Sequence, residues 1–445
     1  MSSFGLVEPT LKDILSVINP LREDWDTRFR LINDLREVVE SVESFRGAVV
    51  EPFGSFVSNL FSRWGDLDIS IELSNGSCIS SAGKKRKQSL LGDLLKALRQ
   101  RGGFCRLQYI PNARVPILKF ESSGQNISCD VSIDNLCGQM KSKFLFWISE
   151  MDGRFRDMVL LVKEWAKAHG INNPKSGTLN SYSLSLLVIF HFQTCEPAIL
   201  PPLKVIYPGN LVDDLKGTRA SAERQIAEIY TANIARFRSD KYRPINRSSL
   251  ARLFISFFEK FSGISLKASE LGICPFTGQW EHIGSNTRWL PNTHPIFIED
   301  PFEQPENTAR AVSKKQLAKI SKAIETTHSR LTISAKQSRC HLLSTLARPH
   351  ITQFITGTPV RYPNYNGGQF RTSPQNHKVI YSASQAQHQP HNARPENRPN
   401  RFISLQPVQQ LHSQSFRPHQ GPVQQRWRPK SDASQSSSGN EDAET

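Results

Sequence analysis

Two aspartates one residue apart, Asp66 and Asp68, are the residues of this 445-residue sequence with the most specific chemistry. They follow a Gly54-Ser55 pair and a short apolar segment, and they open an apolar run typical of a strand. Because alternate side chains of a strand share a face, both carboxylates point the same way. Mg²⁺ binds such carboxylates together with substrate phosphates. The pattern predicts a metal site for nucleotidyl transfer; two solvated residues at a strand entry are the alternative.

A third carboxylate is required near the attacking hydroxyl in two-metal phosphoryl transfer, with Mg²⁺ or Mn²⁺ as the ions. Asp130 lies inside the otherwise apolar run Asn126–Ile133. An unpaired charge is costly to bury there, and metal binding offsets that cost. Asp134 shares the strand face but falls near the strand end. We therefore predict Asp130 as the third ligand.

Phosphate and base contacts are predicted on helices. Ser55 lies where a short helix begins, and the N–H groups of a helix N-terminus bind phosphate. Lys163 and Lys167 are four residues apart on one helix face, where two ammonium groups repel unless an anion lies between them. Ser181 offers a hydroxyl to phosphate, and Tyr182 offers a ring for base stacking. The alternatives are a surface lysine pair, and a helix cap followed by a core tyrosine.

The elements that must position these residues alternate between strands and helices. Apolar spacing predicts two helices between Thr10 and Val42, interrupted at Pro20. The predicted strands are Gly47–Val50, Asp68–Leu73, Cys105–Ile110, Val115–Glu121 and Asn126–Ile133. The predicted helices that follow are Leu90–Gln100, Phe155–Ala168, Ser181–Phe192, Leu250–Phe261 and Val312–Arg330. This order predicts an α+β fold with a small mixed sheet and a mostly helical second lobe.

Four segments are predicted from composition and periodicity. Residues 8–43 form N-terminal helices that pack on the helical lobe, and residues 44–143 form the catalytic domain. Residues 144–340 form the helical domain. Residues 346–445 form a basic Gln/Pro-rich tail, which we expect to be disordered because it has too few apolar residues to offset the entropy of ordering.

The net charge of +16 suits a polyanionic partner such as nucleic acid. Lys84, Lys85, Arg86 and Lys87 form a basic run between a predicted strand and helix; they contact RNA backbone, form a nuclear-import patch or belong to a solvated loop. Apolar runs are too short for a membrane span, and the N-terminus resembles no secretory signal. We therefore expect no membrane association and a location in the cytoplasm, the nucleus or both. The seven cysteines are scattered, which predicts thiols instead of zinc ligands.

Taken in chain order, the motif set resembles a DNA polymerase β-type nucleotidyltransferase. The branch is that of non-templated RNA terminal uridylyltransferases and non-canonical poly(A) polymerases. The motifs are Gly54-Ser55, Asp66 with Asp68, Asp130, Lys163 with Lys167, and Ser181-Tyr182. Ile298–Glu303, with Asn307 and Arg310, resembles the nucleotide-recognition segment of that branch. Tyr242-Arg243-Pro244 through Phe257-Phe258 resembles its poly(A)-polymerase-associated region, so the resemblance covers roughly residues 10–340.

The resemblance implies a reaction and roles for residues. It is closest to the plant uridylyltransferases that tail microRNAs and siRNAs lacking 3′-terminal methylation, so it implies UTP as substrate, RNA 3′ ends as partner and recruitment to an Argonaute-type small-RNA complex. It also implies Asp130 as the base toward the RNA 3′-hydroxyl. The implied metal ligands are Asp66, Asp68 and Asp130. The implied nucleotide contacts are Gly54, Ser55, Gly138, Lys141, Ser142, Lys163, Lys167, Ser181, Tyr182, Asp300, Glu303, Glu306 and Arg310.

Two positions depart from the pattern of that branch. Lys141 stands where well-known uridylyltransferases carry an asparagine near the ribose. Glu306 stands where some carry a uracil-selecting histidine, four residues before Arg310. A carboxylate there accepts a hydrogen bond from uracil N3–H or from an adenine amino group. Adenylyl transfer is therefore the near alternative, and a catalytically inactive RNA-binding scaffold is the distant one.

Overall fold

The computed structural model of the protein describes residues 4–73, 79, 83–332 and 338–357. The strands are β1 (Val49–Phe53), β2 (Leu67–Glu72), β3 (Phe104–Ile110), β4 (Ile117–Ser122), β5 (Ser128–Ile133), β6 (Leu271–Cys274) and β7 (Gln279–His282). The helices up to residue 194 are α1 (Phe4–Ile18), α2 (Arg22–Glu40), α3 (Gly54–Val57), α4 (Lys84–Arg101), α5 (Leu136–Ser149), α6 (Gly153–Ala168) and α7 (Ser181–Thr194). The later helices are α8 (Leu203–Ile206), α9 (Leu211–Asp214), α10 (Arg219–Ser239), α11 (Leu250–Phe261), α12 (Ile264–Lys267), α13 (Lys314–Thr332), α14 (Arg339–Leu346) and α15 (Pro349–Thr356). Among the described helices, none is both long enough and apolar enough to cross a membrane.

A five-stranded sheet in the order β1-β2-β5-β4-β3 forms the frame of the catalytic lobe. The β2–β5 pair is parallel and the other pairs are antiparallel. The sheet is therefore mixed, as predicted, and the α+β fold class is confirmed. All five predicted strands form, although β1 runs Val49–Phe53 instead of Gly47–Val50.

The two larger of three apolar cores define the lobes of the described chain. The catalytic-lobe core lies between the sheet and helices α2 and α4, and the helical-lobe core contains α1, α5, α6, α7 and α11. The prediction that both N-terminal helices pack on the helical lobe is wrong for α2. Its apolar face, with Leu31, Leu35 and Val38, is buried in the catalytic-lobe core. Pro20 thus separates two helices that belong to different lobes.

The basic run 84–87 is the first turn of α4, so the alternative that it belongs to a solvated loop is wrong. Lysines at a helix N-terminus oppose the helix dipole. Lys87 is half-buried, and its ammonium donates to the Asp134 carbonyl at 3.1 Å. Burial also lowers the pKa of Lys87. The side chains of Lys84, Lys85 and Arg86 are exposed.

Ordered structure continues past Thr345, so the prediction of a structureless segment from residue 346 is wrong for its first residues. Helix α15 packs on α1, and Ile351 is fully buried in the helical-lobe core. The sequence around it contains two prolines and many polar residues, which hid a helix that is only eight residues long. The remainder of the predicted tail, residues 358–445, lies outside the described residues.

Candidate active site

The predicted carboxylates meet on one face of the sheet. Asp68 on β2 is the register partner of Asp130 on the parallel strand β5, so both side chains project from the same face. Asp66 precedes β2 and is exposed. The structure therefore brings together the three aspartates that the sequence singled out.

Gly54 lies against the second aspartate. Its backbone has φ +68°, and a Cβ placed on it would lie 2.1 Å from Asp68 Oδ2. Any side chain there would displace the carboxylate, and the left-handed backbone also favours glycine. The predicted glycine of the Gly-Ser turn is thus required by the position of Asp68.

Burial and neighbouring negative charge raise the pKa values of Asp68 and Asp130. Burial, followed by the charges of Asp130 and Asp66, raises the pKa of Asp68 to about 7. Burial also raises the pKa of Asp130, although Lys119 acts against it. Two carboxylates whose pKa values are raised by burial and by neighbouring negative charge form a site that a cation stabilises.

The donor set fits a hard divalent cation that shares its coordination with substrate phosphates. Carboxylate oxygens suit Mg²⁺ and Mn²⁺. Within the described part of the chain, no group of three or more Asp, Glu, His or Cys side chains is placed so that it could hold a metal ion. An open set of carboxylates agrees with an ion held by one or two carboxylates and completed by a nucleotide.

Lys119 is a site residue that the sequence reasoning missed. It is the register partner of Asp130 on β4, and its Nζ lies 2.8 Å from Asp130 Oδ1. The sequence pattern that could have identified it is a charged residue within an apolar strand, which is also the pattern that identified Asp130. The ammonium keeps the buried carboxylate paired and stabilises its ionised form.

The two predicted triphosphate lysines lie on α6 and face the carboxylates. Lys163 Nζ donates to the Leu60 carbonyl at 2.9 Å, just after the Gly54-Ser55 turn. Burial, and then Lys167, lower the pKa of Lys163 to about 7, whereas Asp68 and Asp66 act in the opposite direction. Burial also lowers the pKa of Lys167, with Arg348 as the next cause. Two partly buried, mutually repelling cations beside this turn indicate an anion site instead of a surface pair.

Helix α15, the last helix of the described residues, is held beside these lysines by an ion pair with α6. Glu164, next to Lys163 on α6, is 3% exposed, and Arg348 binds it through Nη2 at 2.8 Å and Nε at 3.0 Å. The backbone N–H of Arg348 also donates to Glu164 at 2.9 Å. Residues beyond 345 therefore support the triphosphate side of the site, which the sequence reasoning did not foresee.

A buried arginine positions the turn before Asp66. Arg28 on α2 is 1% exposed and donates to the carbonyls of Arg63 at 3.2 Å and Gly65 at 2.6 Å. Its guanidinium also lies 4.6 Å from the centre of the Phe61 ring. The signal in the sequence was an arginine at apolar spacing, three residues before Leu31.

The predicted base-recognition residues form one polar network between α5, α7 and the segment after Ile298. The Tyr182 hydroxyl donates to Asp300 Oδ1 at 3.0 Å, and Lys141 Nζ binds Asp300 Oδ2 at 2.5 Å and also Glu303. Burial opposes the charge of Lys141, but Asp300 and Glu303 raise its pKa. Asn307 holds the backbone of this segment by accepting from Ile298 N–H at 3.1 Å.

Predicted nucleotide contacts on α5 and α7 also bind other parts of the protein. The Ser142 hydroxyl accepts from Gly54 N–H at 2.7 Å and donates to the Gly138 carbonyl at 2.7 Å, so it connects α5 to the Gly-Ser turn. Ser181 donates to Asn172 Oδ1 at 3.3 Å. Asn180, one residue earlier, is the N-cap of α7, so the N-cap alternative considered for Ser181 is wrong. Ser55 lies in the first turn of α3, as predicted.

Glu306 and Arg310 lie at the edge of this network. Arg310 Nη1 donates to Glu306 Oε2 at 2.9 Å. Arg114, from the connection between β3 and β4, donates to the same Glu306 oxygen at 2.9 Å and to Glu303 Oε1 at 2.8 Å. No pattern in the sequence pointed to Arg114, because it lies 189 residues from Glu303 in the chain.

Comparisons with known proteins agree with this geometry. The family described as "Poly(A) RNA polymerase, mitochondrial-like, central palm domain" matches residues 7–150. The chain is 60% identical to Protein HESO1 of Arabidopsis thaliana over 358 residues, which cover 80% of this chain and 70% of that protein. The chain belongs to the HESO1 family. This membership confirms the prediction of a template-independent RNA uridylyltransferase with RNA as its partner.

Two further similarities extend the assignment. The chain is 27% identical to the mitochondrial poly(A) RNA polymerase of Mus musculus over 337 residues, covering 71% of this chain and 54% of that protein. A solved structure of a cytoplasmic RNA terminal U-transferase matches with a TM-score of 0.60 at 22% identity, covering 77% of this chain and 98% of that chain. The structural match shows that this member of the HESO1 family shares the two-lobed nucleotidyltransferase fold.

Proposed function

We propose that this protein adds uridine from UTP to the 3′ ends of small RNAs that lack 2′-O-methylation. The observation that carries the proposal is the meeting of Asp68 and Asp130 on adjacent strands, with Asp66 before them and Lys163 opposite. Such an arrangement suits in-line attack of a hydroxyl on a nucleoside triphosphate. A protein that only bound RNA would not need mutually repelling carboxylates on this face.

The residues of the chain bind the triphosphate, orient the reacting groups and accept a proton. Ser55, Lys163, Lys167 and Ser181 hold the triphosphate. The RNA 3′-hydroxyl gives its proton to Asp130, its oxygen bonds to the α-phosphorus of UTP, and the bond to pyrophosphate breaks. Positioning and electrostatic stabilisation account for most of the catalysis in such transfers.

Asp66, Asp68 and Asp130 are the residues that would hold Mg²⁺ or Mn²⁺. When bound, the divalent ion neutralises charge on the phosphates and on the attacking oxygen. The choice between the two ions depends on ligand number and cavity size. We propose Mg²⁺ as the working ion because the donors are carboxylates of an open site, completed by phosphate oxygens.

Recognition of the base falls to the network around Tyr182. We propose that its ring stacks on uracil while Asp300 fixes the hydroxyl. Glu306 then accepts from uracil N3–H. Adenine also offers an amino donor, so adenylyl transfer is the competing activity to test. We further propose that the protein acts on RNA held by an Argonaute-type complex, in the cytoplasm or the nucleus.

A tailing assay tests this proposal. Purified protein, Mg²⁺ and a short 5′-labelled RNA are incubated with each nucleoside triphosphate separately, and a matched RNA carries a 2′-O-methyl group at its 3′ end. Ladders formed mainly with UTP and suppressed by the methyl group would support the proposal. Extension mainly with ATP would refute the choice of base, and equal tailing of both RNAs would refute the choice of RNA.

A further inference from the structure

Arg114 joins the two lobes at the position where the base is selected. It lies in the connection between β3 and β4 of the catalytic lobe. Its Nη1 donates to Glu306 Oε2 at 2.9 Å, and its Nη2 donates to Glu303 Oε1 at 2.8 Å. Arg310 donates to the same Glu306 oxygen at 2.9 Å. One carboxylate is therefore flanked by two guanidinium groups, one from each lobe.

These groups are accessible to a ligand. The side chains of Arg114, Glu306 and Arg310 are 48%, 40% and 45% exposed. Ion pairs at such exposure contribute about 0–1 kcal/mol to stability, so holding the lobes together is a minor role for them. A guanidinium has five N–H donors, and the contacts described use two of those of Arg114.

The group is also continuous with the residues around the base. Glu303, the second partner of Arg114, binds Lys141, and Lys141 binds Asp300. Asp300 in turn accepts from the hydroxyl of Tyr182. Since Tyr182 is the residue proposed to stack on the base, side-chain contacts connect Arg114 and Glu306 to the proposed base site.

The chemistry of the group matches one base. Guanidinium groups only donate hydrogen bonds, and an ionised carboxylate only accepts them. The order donor, acceptor, donor complements the pairing edge of uracil, in which O4 and O2 flank N3–H. Adenine and cytosine would direct a ring-nitrogen lone pair at the carboxylate, and guanine would direct its amino group at a guanidinium.

We propose that Arg114, Glu306 and Arg310 form the uracil-selecting group and that Arg114 is a specificity-determining residue supplied by the catalytic lobe. The inference rests on the proposed function, because it explains preference for UTP. It also explains how a glutamate serves where relatives of this branch carry a histidine. Because Arg114 comes from the opposite lobe, the selecting group depends on the contact between the two lobes.

The test is the ratio of kcat/KM for UTP to that for ATP, measured with the full chain on one short RNA. Arg114→Ala should lower kcat/KM for UTP by about tenfold, as expected for one charge-assisted hydrogen bond, and should change the value for ATP little. Arg114→Lys keeps the charge but loses the planar fork, so it should recover only part of the ratio. Arg101→Ala is the matched control, since Arg101 pairs with Glu37 on the same lobe at 45% exposure.

A modified nucleotide tests the role of the Glu306 carboxylate. N3-methyl-UTP lacks the N3–H donor, so the wild-type protein should use it poorly, and Glu306→Ala should lose the distinction between it and UTP. An unchanged UTP-to-ATP ratio in Arg114→Ala, or an equal loss with both nucleotides, would overturn the role of Arg114 while leaving uridylyl transfer intact. A wild-type protein that prefers ATP would instead refute the proposed function.

Discussion

Replacing Asp68 by asparagine should stabilise the metal-free protein while abolishing nucleotidyl transfer. Asp68 lies beside Asp130 and Asp66, and its pKa rises from 3.8 to about 7, with burial as the largest cause. Asparagine has the same shape and carries no charge. The substitution therefore removes the repulsion, and it also removes a ligand without which a divalent ion cannot be held in place.

The size of the effect follows from the pKa change. A group whose pKa is raised by folding costs no stability below its unfolded value, and the cost grows until the pH passes the folded value. At 1.36 kcal/mol per pH unit, the interval from 3.8 to about 7 gives about 4 kcal/mol at pH 8 as an upper limit. The cost falls to less than half of that at pH 5. An increase of about 5–10 °C in Tm at pH 8 is the corresponding upper limit.

Thermal unfolding in EDTA at pH 5 and pH 8 measures this effect. Asp68→Asn should raise Tm more at pH 8 than at pH 5. Added Mg²⁺ should raise the Tm of the wild-type protein and leave that of the variant nearly unchanged. Asp93→Asn is the control, because Asp93 is 36% exposed on α4 and pairs with Lys96. The reasoning fails if Asp68→Asn lowers Tm, or if it raises Tm equally at both pH values.

Three further predictions concern groups around the site. Lys119→Met removes the ammonium 2.8 Å from Asp130, so the acid limb of kcat/KM against pH should move to higher pH; an unmoved limb would exclude this role. Lys163 has a pKa of about 7 and is therefore charged mainly below pH 7. The affinity for UTP should fall between pH 7 and pH 9 as this charge is lost. Lys163→Met should weaken UTP binding at pH 7 and remove this pH dependence. A chain ending after Gly357 should tail naked RNA as the full chain does. A chain ending after Thr345 leaves Glu164 buried without Arg348 and should lose about 3–5 kcal/mol of stability, visible as a lower Tm; equal Tm values would contradict the supporting role of α15.

The catalytic carboxylates could be predicted from the sequence because the constraint on them is local. Two acids one residue apart on a strand share a face, and an acid within an apolar strand needs a partner. Helix α11 begins and ends at the predicted residues, since its apolar face and its flanking Ser249 and Gly263 are all local signals. The order of the motifs was sufficient to predict the family.

The residues that were missed act through contacts distant in the chain. Lys119 reaches Asp130 through strand pairing, Arg114 reaches Glu303 across the cleft, and Arg348 reaches Glu164 through the docking of α15. No spacing rule connects such pairs. The placement of α2 was wrong for a similar reason, because periodicity shows that a helix has an apolar face but not which core covers it.

The most direct test of the account is the composition of the tails added by the wild-type protein and by Asp130→Asn. Both are incubated with short RNA, Mg²⁺ and an equal mixture of the four nucleoside triphosphates, and the extended RNAs are sequenced. The account predicts tails made mainly of uridine from the wild-type protein and no tails from a variant that keeps its Tm. Tails made mainly of adenosine, or tails of equal length from folded Asp130→Asn, would contradict it.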